Sequence, residues 1–132
     1  MRGAVILARM TSSVVPGVVV RPLQKFSDPR GWLVELFRSD ELPEGFRPEM
    51  SYISVTRAGI ARGPHEHVHQ TDGFAFMSGS FELYLWDNRP GNMGEDEVLK
   101  VGESNPVFVI VPPGVVHAYK NVGDADAFVL NF

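Results

Sequence analysis

The stretch RGPHEHVHQTD, residues 62–72, places His65, His67 and His69 at alternate positions and follows them with Asp72. The chain's other histidine, His117, lies far downstream in VPPGVVHAYKN. Side chains two apart on a strand share a face, so this spacing predicts one wall carrying the three imidazoles, with Glu66 and Val68 turned away. A turn at Gln70–Thr71 would bring Asp72 back toward them. Imidazoles plus one carboxylate suit a divalent first-row metal. A neutral imidazole is also a good general base near physiological pH. A third reading is a polar wall that binds water or substrate. His69 is expected to play an ordinary surface or supporting part.

The elements that must position these groups are short and apolar. GVVVRPL (17–23), WLVELF (32–37), YISVT (52–56), GFAFMS (73–78), SFELYLWD (80–87), EVLKVG (97–102), VFVIV (107–111) and AFVLNF (127–132) have strand length and are rich in β-branched and aromatic residues. In SFELYLWD, Phe81, Leu83 and Leu85 alternate with Glu82, Tyr84 and Trp86, a period of two. Ser78-Gly79-Ser80 reads as a hairpin turn. Only SDELPEGF (39–46) offers a helical turn, with Ser39 or Asp40 as its cap before Pro43 interrupts it. Glycines and prolines punctuate the whole chain instead of forming a linker. These features predict an all-β sandwich or barrel, one domain over residues 1–132, with 1–25 as a strand-forming segment at a dimer interface.

Composition removes several functional classes. A net charge of −4 and no basic run argue against nucleic acid as a partner. With no cysteine, disulfides, thiolate metal sites and cysteine nucleophiles are excluded. GAVILA, residues 3–8, is too short for a signal-peptide core or a membrane span, so a cytoplasmic address and no membrane partner are expected. No P-loop or dinucleotide glycine fingerprint occurs, and no organic cofactor is expected. GDADA (123–127) reads as a solvated turn.

The histidine-bearing segments resemble the two motifs of the cupin superfamily. Gly59, His65, His67, Asp72 and Gly79 match the first, with Asp where Glu is usual. Pro112, Gly114, His117 and Asn121 match the second, with Pro106 at its leading glycine position. The resemblance implies a single cupin (jelly-roll) β-barrel. It also implies one divalent transition metal held by His65, His67, Asp72 and His117.

Three blocks, FSDPRGWLVELF (26–37), SVTRAGIARGPH (54–65) and VPPGVVHAYKN (111–121), resemble more closely the dTDP-4-dehydrorhamnose 3,5-epimerases within that superfamily. The resemblance implies an isomerase-class enzyme that removes a proton beside the ketone of a dTDP-linked 4-keto-6-deoxy sugar, as an epimerase or a ketoisomerase. Its implied catalytic residues are His65, the base, and Arg62. Arg30, Glu35, Arg62, His117 and Tyr119 are implied at the substrate, a nucleotide sugar, and the implied assembly is a homodimer. Several positions depart from the family pattern. Asp72 stands where the epimerases have a lysine, and Leu130 aligns with their tyrosine acid. Met50 and Tyr52 replace two side chains expected at the sugar nucleotide, and the carboxylate partner of the catalytic histidine aligns past Phe132. Two alternatives therefore accompany the isomerase reading: a metal-dependent oxygenase or hydrolase, and a non-catalytic sugar-nucleotide-binding cupin.

Overall fold

A computed structural model describes residues 11–92 and 94–132. The first ten residues of the N-terminal segment, GAVILA included, lie outside the described residues. Twelve strands follow in order among the described residues. They are β1 (Thr11–Ser12), β2 (Val19–Pro22), β3 (Lys25–Asp28), β4 (Gly31–Val34), β5 (Tyr52–Thr56), β6 (Ala61–His65), β7 (Asp72–Phe76), β8 (Ser80–Asp87), β9 (Asp96–Gly102), β10 (Val107–Val111), β11 (Val115–Asn121) and β12 (Ala127–Asn131). The helical element among them is one 3-10 turn, Ser39–Glu41, whose cap position is Arg38 and not Ser39 or Asp40.

The strands form a six-stranded sheet, β1-β2-β10-β7-β12-β5, and a four-stranded sheet, β6-β11-β8-β9, while β3 and β4 pair only with each other. Neighbours within each sheet are antiparallel. Both large sheets turn residues into one core: Phe74, Phe76, Val109 and Val129 from the first meet Phe81, Leu83, Leu85 and Val115 from the second. This is the all-β jelly-roll barrel expected from the sequence. The inward row Phe81, Leu83, Leu85 follows the alternation read from SFELYLWD.

A second apolar layer explains why VFVIV lacks any alternation. Leu23, Phe46, Ala75, Phe108 and Ile110 cluster on the outer face of the six-stranded sheet, covered by Leu36, Phe37 and Leu42 from the segment after β4. A strand covered on both faces reads as continuously apolar, and all five residues of β10 are buried.

Two local expectations fail. Ser78-Gly79-Ser80 is not a hairpin turn, because β7 and β8 belong to different sheets; the chain crosses there from one sheet to the other. The histidine stretch is not a regular strand throughout. β6 ends at His65, paired with His117, and its partner β11 begins only two residues earlier at Val115. One further bond, from Gly114 N–H to the His67 carbonyl, tethers the chain before it bends at Val68–His69. Beyond that point β11, which begins at Val115, gives the chain no further partner.

Candidate active site

β6 must lie very close to β11 for His65 to face His117, and Gly63 makes this possible. Its φ is +101°, and a Cβ there would stand 2.9 Å from the His117 carbonyl oxygen. The glycine of Arg-Gly-Pro-His is therefore a steric requirement. The β6–β11 register pairs His65 with His117 and Arg62 with Tyr119, with an irregularity between the two pairs. Inward-facing His117 and Tyr119 thus share one wall of a cavity of about 660 Å³. His65, His67, His69, Asp72 and Arg62 also line it, and Phe46–Met50 with Tyr52 form part of the same lining.

Asp72, at the start of β7, is the electrostatic centre. Its Oδ2 lies 3.1 Å from His67 Nε2 and 3.3 Å from His117 Nε2. Its Oδ1 accepts the Gln70 amide at 2.5 Å. Burial pushes the carboxyl pKa up, but hydrogen bonds from His117 and Gln70 and the charges of His67 and His117 together hold it below the ordinary 3.8. The bend at Val68–His69 thus returns Asp72 to the histidines, slightly before the expected turn.

His117 carries an informative hydrogen-bond pattern. Its Nδ1 lies 3.3 Å from the Val115 carbonyl oxygen and its Nε2 3.3 Å from the Asp72 carboxylate, so both ring nitrogens face acceptors. A neutral ring carries one N–H and can donate to only one of them. Favourable contacts at both need a second proton on the ring, a proton on Asp72, or a cation between Nε2 and the carboxylate.

The ligand atoms of His67, Asp72 and His117 all lie within 4.8 Å of one another, and His65 does not join that group among the described residues. The expected four-residue metal set is thus a three-residue cluster with His65 beside it. The His65 ring centroid is 6.5 Å from that of His67 and 6.1 Å from that of His117. The reason is local: His65 is held in the strand, whereas His67 has left it.

The opposite wall comes from β5 and β12. Tyr119 reaches across to place its hydroxyl 3.2 Å from Ser54 Oγ. Asn131 donates to the same Ser54 oxygen at 3.3 Å and to the Val129 carbonyl at 3.1 Å. Burial pushes the Tyr119 phenol up, and the Ser54 bond and the Arg62 charge offset this only in part. Arg62 itself donates to Thr56 Oγ1 at 2.9 Å and to the Val55 carbonyl at 2.7 Å.

Residues outside this cavity are as telling as those inside it. Arg30, in the turn between β3 and β4, has a side chain 88% exposed and paired with Asp28, and neither it nor Glu35 lines the cavity. Leu130 packs in the outer apolar cluster, while Asn131 faces inward at the end of β12. The alignment of Leu130 with a catalytic tyrosine is therefore off the site. Sequence reasoning missed Ser54, Gln70 and Asn131. Asn131 had a readable signal, since it is the polar residue of an otherwise apolar strand, whereas Ser54 shares its face of β5 with Tyr52 and Thr56.

Residues 26–132 match the polysaccharide biosynthesis C-terminal domain family. The chain belongs to that family. A curated relative, the probable low-salt glycan biosynthesis epimerase Agl13 of Haloferax volcanii, is 36% identical over 118 residues, covering 87% of this chain and 76% of that protein. Two solved structures share the fold. NovW, a 4-keto-6-deoxy sugar epimerase from the novobiocin biosynthetic gene cluster of Streptomyces spheroides, superposes with a TM-score of 0.82 at 20% identity, over 94% of this chain and 66% of its own. A dTDP sugar isomerase from Desulfovibrio desulfuricans G20 gives 0.84 at 22% identity, over 92% and 78%. Solved dTDP-4-dehydrorhamnose 3,5-epimerases share the fold as well, which bears out the likeness read from the sequence. In this family member, as in the sequence reading, the motif histidines and Arg62 open on one cavity.

Proposed function

We propose that the protein is an isomerase of nucleotide-linked sugars. It would act on a dTDP-linked 4-keto-6-deoxy sugar by removing a proton beside the ketone, as an epimerase or ketoisomerase in polysaccharide biosynthesis. The observation that carries this reading is the position of His65. It lines the cavity on the same strand as Arg62, yet stands outside the cluster that engages His67 and His117 with Asp72. An imidazole so placed can take a carbon-bound proton. Arg62, held by Thr56 and Val55 at the cavity wall, offers a guanidinium that suits an anionic substrate group. The relatives' names supply the substrate class: a glycan epimerase, a 4-keto-6-deoxy sugar epimerase and a dTDP sugar isomerase. Incubation with dTDP-4-keto-6-deoxyglucose should yield a C3 or C5 epimer or a 3-keto isomer by NMR. Substrate that remains unchanged would remove the reading.

A second reading adds a divalent cation held by His67, Asp72 and His117. The facing of His117 Nε2 and the Asp72 carboxylate in a buried position supports it, since a cation between them would satisfy both. Bound there, a cation would act as a Lewis acid toward a carbonyl oxygen.

The working unit in this account is a homodimer in the cytoplasm. β5 is an edge strand with Ile53 and Val55 exposed, and the β3–β4 hairpin exposes Phe26, Trp32 and Leu33. A second copy covering these residues would bury them and bring a partner's hairpin, with its arginine and glutamate, to the cavity mouth. The 1–25 segment belongs to the same contact in this reading. Sedimentation at twice the chain mass supports it, and a monomer at all concentrations sinks it.

A further inference from the structure

We propose that Thr56 is a positioning residue whose hydroxyl holds the Arg62 guanidinium ready for a phosphate group of a nucleoside diphosphate. This rests on the sugar-nucleotide reading and deepens it, because it names the group that prepares the anion site. Arg62 lines the cavity and is itself exposed. An unanchored arginine samples many rotamers, and ordering it on binding costs affinity. Here Nε donates to Thr56 Oγ1 at 2.9 Å and Nη2 to the Val55 carbonyl at 2.7 Å. Those two donors belong to one edge of the planar fork. The outer edge, Nη1 with the second Nη2 proton, has no hydrogen-bond partner among the described residues. That edge can meet an anion with two parallel bonds.

Thr56 is a fixed point for this purpose. It is 2% exposed at the end of β5, pairs with Ala127 of β12, and its carbonyl accepts the Asn121 amide at 2.8 Å. Asn121 is fully buried, donates also to the Ala125 carbonyl, and accepts the Gly123 N–H. The backbone of Thr56 is thus held from two sides, and its hydroxyl inherits that rigidity. Packing does not explain the hydroxyl. Valine has nearly the same shape and would fill this position without a polar atom that burial obliges the fold to satisfy. What threonine adds is an acceptor for Arg62. The chain of contacts runs from Asn121 in the downstream histidine segment, through Thr56, to the arginine of Arg-Gly-Pro-His.

The test measures dTDP binding by calorimetry, and KM and kcat with dTDP-4-keto-6-deoxyglucose, for the parent, Thr56→Val and Thr56→Ser. Thr56→Val should raise the dTDP Kd and the KM by about tenfold, the scale of one charged hydrogen bond. Its kcat should stay within about threefold, because the lost contact serves binding and not the reacting carbon. Thr56→Ser, which keeps the acceptor, should restore affinity to within about threefold of the parent. Thr56→Ala removes the same hydroxyl, should show the same loss, and serves in place of a valine variant that fails to fold. In an Arg62→Ala background, removing the hydroxyl should change the dTDP Kd by no more than about twofold, since the two residues act as one unit. The proposal alone is overturned if the parent binds dTDP and removal of the hydroxyl leaves its Kd within about twofold, the limit set for uncoupled sites. It is equally overturned if serine fails to rescue, if kcat falls while KM holds, or if the loss persists undiminished without Arg62. A parent that binds no dTDP refutes the sugar-nucleotide reading and takes this proposal with it.

Discussion

Replacing Asp72 by Asn keeps the shape of the side chain and removes its charge. The Asp72 side chain is only 10% exposed, so water can do little to compensate. The Gln70 contact survives, since the amide oxygen still accepts. The two imidazole contacts at Oδ2 lose their charged acceptor. A hydrogen bond to a charged group contributes about 1.5–3 kcal/mol, so the net loss expected at pH 7 is about 2 kcal/mol. The pH dependence follows from the sign of the shift. The folded Asp72 pKa lies below its ordinary 3.8, so the carboxylate's contribution is complete above that value and disappears as pH falls through the lower folded one. The stability gap between parent and Asp72→Asn should therefore be present throughout the range above about pH 4 and narrow below it. Urea unfolding of both proteins in chelator, at pH 7 and in the acid range, measures it. Equal stability at pH 7, or a gap that does not shrink in acid, would refute the assignment of Asp72 as the ionised centre of the cluster.

Gly63→Ala should destabilise the fold by about 2–4 kcal/mol, combining a left-handed backbone with a Cβ 2.9 Å from the His117 carbonyl; thermal unfolding reads this, and a neutral result would contradict the close-approach reading. Arg62→Ala should raise KM for the nucleotide sugar by roughly tenfold or more, the loss of one charged hydrogen bond. Arg62→Lys should not restore it, because one ammonium cannot hold Thr56 and Val55 while binding an anion. In the cation reading, protein purified without chelator should carry bound divalent metal that His67→Ala lacks; equal, negligible metal in both by mass spectrometry removes that reading.

Much of the fold was legible because apolar runs of strand length map onto strands almost residue for residue, as in SFELYLWD and VFVIV. What periodicity could not convey was which strands share a sheet. Ser78–Ser80 has turn chemistry whether the chain doubles back or crosses over, and only the pairing of β7 with β10 and β12 separates the two. The same limit governs the site. Alternating histidines imply a common wall only while a neighbouring strand continues, and β11 gives β6 a partner only as far as His65. His67 leaves the strand, joins Asp72 and His117, and so parts from His65. Likewise, Leu130 and Asn131 face opposite sides of β12, so a gapless match along it does not convey which of them reaches the cavity.

The decisive measurement is deuterium uptake from heavy water into dTDP-4-keto-6-deoxyglucose, beside its ketone, by the parent protein and by His65→Asn. The account predicts rapid labelling by the parent and labelling at the uncatalysed rate by the variant, with both proteins folded to the same degree. Undiminished labelling by His65→Asn, or none by the parent, would contradict the placement of the base on β6.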